Sequence, residues 1–136
     1  MSKFDEPSLS NRYSPAMRVI ALRGATQLKS DSSEEMADAV TELLSALFER
    51  NQLSKDDLIS IFFTSTQDLV SDFPAAAARR LDLGDIPLMC AREIPVAGSL
   101  PRVVRVMIHA YSTLKHAEVK HLYMRGAEVL RKDIAQ

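Results

Sequence analysis

The fold begins with the stretch Arg18-Val19-Ile20-Ala21-Leu22-Arg23-Gly24-Ala25-Thr26, an apolar run with an arginine at its start and another near its end. Such a run predicts a first β-strand over residues 17–25. A capping box follows, with Ser32 as the N-cap and Glu35 three residues later. Apolar residues then recur at helical spacing, at Met36, Ala39, Val40, Leu43, Leu44 and Leu47. We therefore predict an amphipathic helix over residues 33–50.

The next apolar run is Leu58-Ile59-Ser60-Ile61-Phe62-Phe63-Thr64-Ser65. Its nearly continuous apolar character is typical of a strand that is buried on both faces. One long helix lies between the two predicted strands, which indicates a βαβ-like unit. We therefore predict that these strands pair in parallel.

The rest of the chain adds shorter elements to this unit. Pro74 marks the start of a short helix over residues 73–81. Further strands are predicted over residues 86–89, 102–111 and 119–124, with a turn at 98–101. These elements predict an α/β (α+β) fold with a mixed β-sheet, one long helix and one or two short helices. Residues 1–16, rich in Ser and without hydrophobic periodicity, are predicted to be a flexible N-terminal leader before a single domain over 17–136.

Composition excludes several classes of function. The chain has 136 residues, of which 46% are hydrophobic and 26% charged, with a formal net charge of −1. The absence of a basic excess argues against binding to nucleic acid. A single cysteine excludes an intramolecular disulfide and a Cys-based zinc cage. No apolar run approaches the roughly 18 residues that span a membrane, so we expect a cytoplasmic protein with no membrane partner.

Arginines stand where a strand would normally carry apolar residues. They are Arg23, Arg105 and Arg131. A guanidinium is always charged and presents a planar fork that fits a carboxylate. Burying one is costly unless an anionic group contacts it. Either acidic side chains or an acidic ligand must therefore contact these residues.

Arg105 lies in the longest predicted late strand. Strand alternation places Arg105 on one face with Val103, Met107 and His109, whereas the opposite face is entirely apolar. The mixed face suits the wall of a polar pocket. It also suits a partly exposed strand from which a surface arginine extends into solvent, and the spacing leaves both interpretations open.

Other candidate residues give weaker signals. Cys90 and Glu93 lie three residues apart, but a lone cysteine is more typical of a small buried apolar residue. Adjacent basic residues such as Arg79 and Arg80 are typical of a solvated helix surface. The three histidines have no metal-ligand spacing, and the sequence has no glycine-rich phosphate loop, so no metal site is predicted.

Several of these stretches together resemble the monofunctional chorismate mutases of the α/β trimeric class. The resemblance covers residues 17–131. The stretches that carry it are Arg18 to Thr26, Thr64-Ser65-Thr66-Gln67-Asp68-Leu69 continuing to Phe73-Pro74-Ala75, Cys90-Ala91-Arg92-Glu93, Arg105-Val106-Met107, His121-Leu122-Tyr123, and Val129-Leu130-Arg131. It implies a mixed sheet with flanking helices and a homotrimer with a barrel-like core, whose active sites lie between subunits.

The resemblance also implies the reaction. Chorismate, a small dianion, would rearrange to prephenate on the route to phenylalanine and tyrosine, without metal or cofactor. Arg105 would lie at the ether oxygen, and Arg23 with Tyr123 would hold the side-chain carboxylate. Glu93 would accept a hydrogen bond from the ring hydroxyl, with Cys90 alongside. The remaining implied contacts are an apolar wall from Phe73 and Ala75, Arg79 at the mouth, and Arg131 closing over the site.

Two positions depart from the family pattern. Ala76 stands where a lysine is frequent, and Met89 where a small hydroxyl residue is frequent. Both departures bear on substrate affinity more than on chemistry. The missing lysine leaves open a non-catalytic binder of an aromatic-pathway acid. A trimeric imine deaminase of similar architecture, which also uses an arginine to grip a carboxylate, is a second alternative.

Overall fold

A computed structural model describes residues 16–130 and contains one five-stranded sheet with the strand order β3-β2-β4-β1-β5. The strands are β1 (Arg18–Gln27), β2 (Leu58–Ser65), β3 (Leu88–Arg92), β4 (Val103–Ser112) and β5 (Leu122–Met124). The helices are α1 (Ser33–Arg50) and α2 (Ala76–Arg80), with short 3₁₀ turns at Lys55–Asp57, His116–Glu118 and Ala127–Leu130. The predicted mixed α/β sheet is confirmed.

The central strand of the sheet is β4. It pairs antiparallel with β1 on one side and with β2 on the other. The strands β1 and β2 therefore run in the same direction but are not neighbours, and the prediction that they pair is wrong. The helical crossover leaves a strand-wide gap, and the apolar β4 fills it in a split βαβ arrangement. The outer strands β5 and β3 pair in parallel with β1 and β2.

Helix α1 begins and ends at the predicted residues. The Ser32 side chain accepts a 3.1 Å hydrogen bond from the Glu35 amide, as a capping box requires. The Glu35 carboxylate does not complete the box in the usual way, since it accepts from the Lys29 amide and the Ser30 hydroxyl. The predicted apolar stripe is buried against the sheet.

The two faces of the sheet differ in burial. The inner face lies under the helices and carries Leu22, Ile61, Phe63 and Ile108, all with 1% or less of their surface exposed. The outer face leaves Phe62 41% exposed. The prediction that β2 is buried on both faces is therefore wrong for a single chain, because both helices cover the same side. At one end of the outer face, Ala25, Val103, Tyr123 and Ala127 form a small second core.

Several element boundaries moved from their predicted positions. The strand β1 continues past its predicted end to Gln27, and the short helix covers only Ala76–Arg80. The strand β3 begins and ends later than predicted, at Leu88–Arg92. The last strand is shorter than predicted because the buried Asn51 side chain holds the chain before it, bonding both the amide and the carbonyl of Lys120.

Candidate active site

Cross-strand register gathers the predicted site residues on the outer face of the sheet. Arg105 stands opposite Thr64 on β2 and Ala25 on β1. Arg23 stands opposite Met107, one side-chain row away, and is a diagonal neighbour of Arg105. Tyr123 on β5 pairs with Ala25 and continues the Arg105 row. Residues from four strands thus contribute to one side of the sheet.

A cavity of about 250 Å³ lies among these side chains. Its lining includes Arg23, Arg105 and Tyr123, which were predicted to act together. The other lining residues are Gly24, Phe62, Thr64, Val106 and Met107. The predicted polar-pocket interpretation of the mixed β4 face is therefore supported over that of a simple surface arginine.

Arg105 forms an ion pair at this place. Its Nε lies 2.9 Å from Oε2 of Glu93, which is only 16% exposed. The Thr64 hydroxyl donates a 2.5 Å hydrogen bond to the same carboxylate oxygen. The Arg105 Nε is buried, yet among residues 16–130 it has no acceptor in hydrogen-bond alignment. The contact is thus an ion pair that does not use the full donor capacity of the guanidinium.

The Arg105 side chain remains 42% exposed despite this pairing. It lines a second, larger cavity of about 760 Å³ together with Glu93. Thr64 and Arg105 belong to both cavities. A fixed positive charge beside open space is suited to contact an anion.

A third cavity holds another part of the predicted set. It measures about 380 Å³, and Phe73 and Cys90 line it. Phe73 is 71% exposed, and Cys90 is exposed as well, so the interpretation of Cys90 as a buried apolar residue is wrong. This cavity shares Arg92 with the larger one but does not include Arg105.

The remaining predicted residues lie elsewhere. Ala75 is half-buried against the main core, and Arg79 is exposed on α2. Arg131 lies outside the described residues, as do residues 1–15 of the predicted leader. A single chain therefore groups the predicted residues into two separate clusters and leaves Ala75 and Arg79 outside both.

Sequence reasoning missed two side chains that support the site. Thr64 was noted only as part of a stretch, although its place opposite Arg105 lets it orient Glu93. His121 accepts a 3.0 Å hydrogen bond from the Arg23 amide through Nδ1. That bond requires an unprotonated Nδ1 and fixes the backbone of Arg23. Neither contact is visible without the strand order.

The described residues contain neither a metal-binding cluster nor a membrane-spanning helix. Within residues 16–130, no three His, Cys, Asp or Glu side chains are placed to hold a metal ion. In the same part of the chain, no helix has the length and apolar character needed to cross a membrane. What the arrangement offers is two neighbouring cations, Arg23 and Arg105, the Glu93 carboxylate paired with Arg105, and apolar walls.

Comparison with known proteins gives consistent matches. The family model for chorismate mutase type I matches residues 19–134. The chain is 42% identical to chorismate mutase AroH of Thermus thermophilus over 117 residues, covering 85% of this chain and 96% of that protein. It is 31% identical to chorismate mutase AroH of Bacillus subtilis (strain 168) over 120 residues, covering 88% and 94%. A solved chorismate mutase from Clostridium thermocellum superposes with a TM-score of 0.80 at 42% identity, covering 81% of this chain and 98% of that one.

Proposed function

The chain belongs to the type I family of chorismate mutases, and we propose that it converts chorismate to prephenate at the site built around Arg105. The observation that carries this assignment of the site is the Arg105–Glu93 ion pair beside two open cavities. The substrate is a small dianion, which fits a cavity lined by two guanidinium groups, those of Arg23 and Arg105.

The reaction asks little covalent chemistry of the protein. One carbon–oxygen ether bond breaks while one carbon–carbon bond forms, within a single molecule and without proton transfer. The protein must hold the substrate in a compact chair-like shape, which is catalysis by orientation. It must also stabilise the electron density that builds on the ether oxygen as the bond breaks.

Arg105 is the residue that stabilises this charge. Its Nε is held 2.9 Å from Glu93, so the guanidinium is already oriented before substrate enters. The charge on the ether oxygen exists chiefly in the transition state, and a fixed cation there lowers the barrier more than it strengthens ground-state binding. This is why a preset ion pair does not cancel the catalytic role of Arg105.

Glu93 holds the ring of the substrate. Its Oε2 contacts both Arg105 and Thr64, and we assign Oε1 to the ring hydroxyl. The side-chain carboxylate of the substrate binds Arg23 and Tyr123, which line the smaller cavity with Arg105. The exposed Cys90 thiol lines the same cavity as Phe73, and we assign it to the ring side of the substrate at a site shared with a neighbouring subunit.

The protein acts as a homotrimer with its sites between subunits. Two observations support this assembly. The outer sheet face leaves Val19 51%, Phe62 41% and Met89 61% exposed, an apolar surface that a barrel-like core would bury. The Phe73 cluster is also separate from the Arg105 cavity within one chain. In the trimer, Phe73, Ala75 and Arg79 of a neighbouring subunit complete the site, and Arg131 closes over it.

The cellular role follows from the reaction. Prephenate formation belongs to phenylalanine and tyrosine biosynthesis, and we assign the protein to the cytoplasm. The Ala76 and Met89 departures remove two polar contacts and are expected to weaken substrate affinity. A binder without turnover and an imine deaminase are not favoured, because extensive identity to chorismate mutases covers most of the chain.

One experiment tests the function directly. The fall of chorismate absorbance is measured with purified protein in EDTA, alongside native mass and a parallel assay with a 2-imino acid. We expect chorismate loss with the mass of a trimer. Tight chorismate binding by calorimetry with no turnover would instead indicate the binder, and imino acid hydrolysis would indicate the deaminase.

A further inference from the structure

The segment that leads to Phe73 lies between β2 and α2, and charged side chains from elsewhere hold it. Over residues 66–72 it contains turns and bends but no strand or helix. Such a segment loses much conformational entropy when it is fixed in one shape. Phe73 directly follows it and is 71% exposed. The position of this apolar side chain therefore depends on how firmly the segment is held.

Arg92, at the end of β3, holds the carbonyl groups of this segment. Its Nη1 donates to the carbonyls of Thr66 and Leu69, both at 2.8 Å, and lies 3.4 Å from the Ser65 hydroxyl. Hydrogen bonds from a charged donor are stronger than neutral ones. A single guanidinium nitrogen thus reinforces the turn that the Leu69 amide closes by donating to the Thr66 carbonyl.

Asp31, in the connection between β1 and α1, holds the amide groups that follow. Its carboxylate accepts from the Val70 amide at 3.2 Å and from the Ser71 amide at 3.1 Å. The Ser71 hydroxyl donates to it as well, at 2.7 Å. A cation on the carbonyls and an anion on the amides form a matched pair of contacts to one segment.

Arg92 also lies next to the candidate site, so the contacts that it makes to the segment connect the segment to that site. Arg92 directly precedes Glu93, which pairs with Arg105. Its side chain also lines both the 760 Å³ cavity of Arg105 and the 380 Å³ cavity of Phe73. The same residue thereby links the Glu93 part of one site to the segment that carries Phe73.

We propose that Arg92 and Asp31 are positioning residues that preorganise the segment 66–72 and so place Phe73 as the apolar wall of the substrate site. We call the contacts of Arg92 and Asp31 to residues 66–72 the clamp. The role of Phe73 rests on the proposed function, whereas the clamp does not. The role assigned to Arg92 and Asp31 is to hold the backbone of this segment, not to bind the substrate. Their effect on turnover passes through Phe73, and it is felt as substrate affinity because an apolar wall contacts ground state and transition state alike.

The first test needs no substrate. Deuterium uptake is compared for the wild-type protein, Arg92→Met and Asp31→Asn, with Arg80→Met as the control. Arg80 is an exposed arginine whose ion pair with Asp38 does not involve this segment. We expect faster uptake than in the wild type for Arg92→Met and Asp31→Asn, confined to peptides over residues 66–73. The Arg80→Met control should take up deuterium at the wild-type rate. Unchanged uptake over this segment in both variants would overturn the clamp, whether or not the protein is a mutase.

The second test uses steady-state kinetics with chorismate. We expect Arg92→Met to raise KM about tenfold with kcat within about twofold, as loss of uniform binding predicts. Arg92→Lys should recover part of the loss, because an ammonium still reaches carbonyl oxygens. The KM of the double variant Arg92→Met with Phe73→Ala should be no higher than that of Phe73→Ala alone. Additive losses would show that Arg92 does not act through Phe73, and absence of wild-type turnover would instead reject the proposed function.

Discussion

Nε of Arg105 lies 2.9 Å from Oε2 of Glu93, and the Thr64 hydroxyl donates to that same oxygen. The three side chains come from β4, from the residue just after β3, and from β2. This contact orients a cation before any ligand is bound, and it leaves open space on two sides of the guanidinium. An enzyme that works by electrostatic stabilisation needs such preorganisation.

The first prediction concerns Arg105 itself. Arg105→Ala should lower kcat about 10²–10³-fold, or roughly 3 kcal/mol, as single-donor losses do in sites that stabilise an oxyanion. Arg105→Lys should recover little, because a point charge does not replace the planar fork. The measurement is chorismate loss by absorbance, with Arg80→Ala as the control. Full turnover by Arg105→Ala would show that another group faces the ether oxygen.

The second prediction concerns Thr64. Thr64→Val removes the hydroxyl that orients Glu93 while keeping the shape of the side chain, and it should lower kcat/KM about tenfold. Thr64→Ser keeps the donor and should stay near wild-type activity. Thermal unfolding of both variants serves as the check on folding. Equal activity of the two variants would mean that the hydrogen bond to Glu93 has no catalytic consequence.

The third prediction concerns the exposed sheet face. Phe62 is 41% exposed and meets the His109 ring edge-on, with ring centroids 6.0 Å apart. A carboxylate here would be buried in the proposed trimer, at a cost of several kcal/mol that pairing with Arg23 in the same cavity offsets only in part. Phe62→Asp should therefore lower the native mass to that of a monomer and keep the circular dichroism spectrum. Ser45→Asp, on the exposed side of α1, should remain trimeric, and a trimeric Phe62→Asp would argue against this face as the interface.

The fourth prediction concerns close packing beside the site. A Cβ at Gly24 would lie 2.9 Å from Leu47 Cδ1 and 3.1 Å from Leu43 Cδ1. Gly24→Ala should therefore destabilise the fold by about 1–3 kcal/mol, as overpacking does. Gly84→Ala is the matched control, because a Cβ there meets nothing within 4 Å. Urea unfolding at one protomer concentration measures both, and equal midpoints would show that α1 gives way without cost.

The fifth prediction concerns pH. The pKa of the Asp31 carboxyl is lowered below its ordinary value, chiefly by the Ser71 hydroxyl, with the Val70 and Ser71 amides and the Arg92 charge acting in the same direction. Because the folded-state pKa is the lower one, the stabilisation is complete above the unfolded-state value of about 3.9 and is lost as pH falls through the folded-state value. The stability difference between wild type and Asp31→Asn should therefore be constant near neutral pH and shrink once the pH falls below the unfolded-state value of about 3.9. Urea unfolding in both pH ranges measures it, and a difference that grows on acidification would contradict this assignment.

Local patterns predicted the parts of the fold that depend on near neighbours. The Ser32 cap and the apolar stripe fixed the bounds of α1, because both are set within a few turns of one helix. Alternation along β4 correctly placed Arg105 and Met107 on the less buried face. The strand order could not be obtained in this way, since the insertion of β4 between β1 and β2 depends on contacts between distant segments.

Some residues of the candidate site were predictable from short stretches of sequence, and others were not. The resemblance of short stretches named Arg23, Glu93 and Arg105 as one group, and the structure brings Arg23 and Glu93 each beside Arg105. The resemblance did not indicate that Arg92 and Asp31 hold the segment before Phe73. Their partners are mostly backbone carbonyls and amides, which every residue carries and which leave no mark on the sequence.

By itself, the sequence determined the helix, the alternation of the strands and the family, because periodicity and short motifs are written in consecutive residues. The tertiary structure alone decided which strands are neighbours, that Glu93 contacts Arg105, and that Phe73 lies apart from the cavity that holds Arg105. The physical reason is that a partly buried charge is stable only beside an opposite charge, and the strand order sets which carboxylate lies within reach.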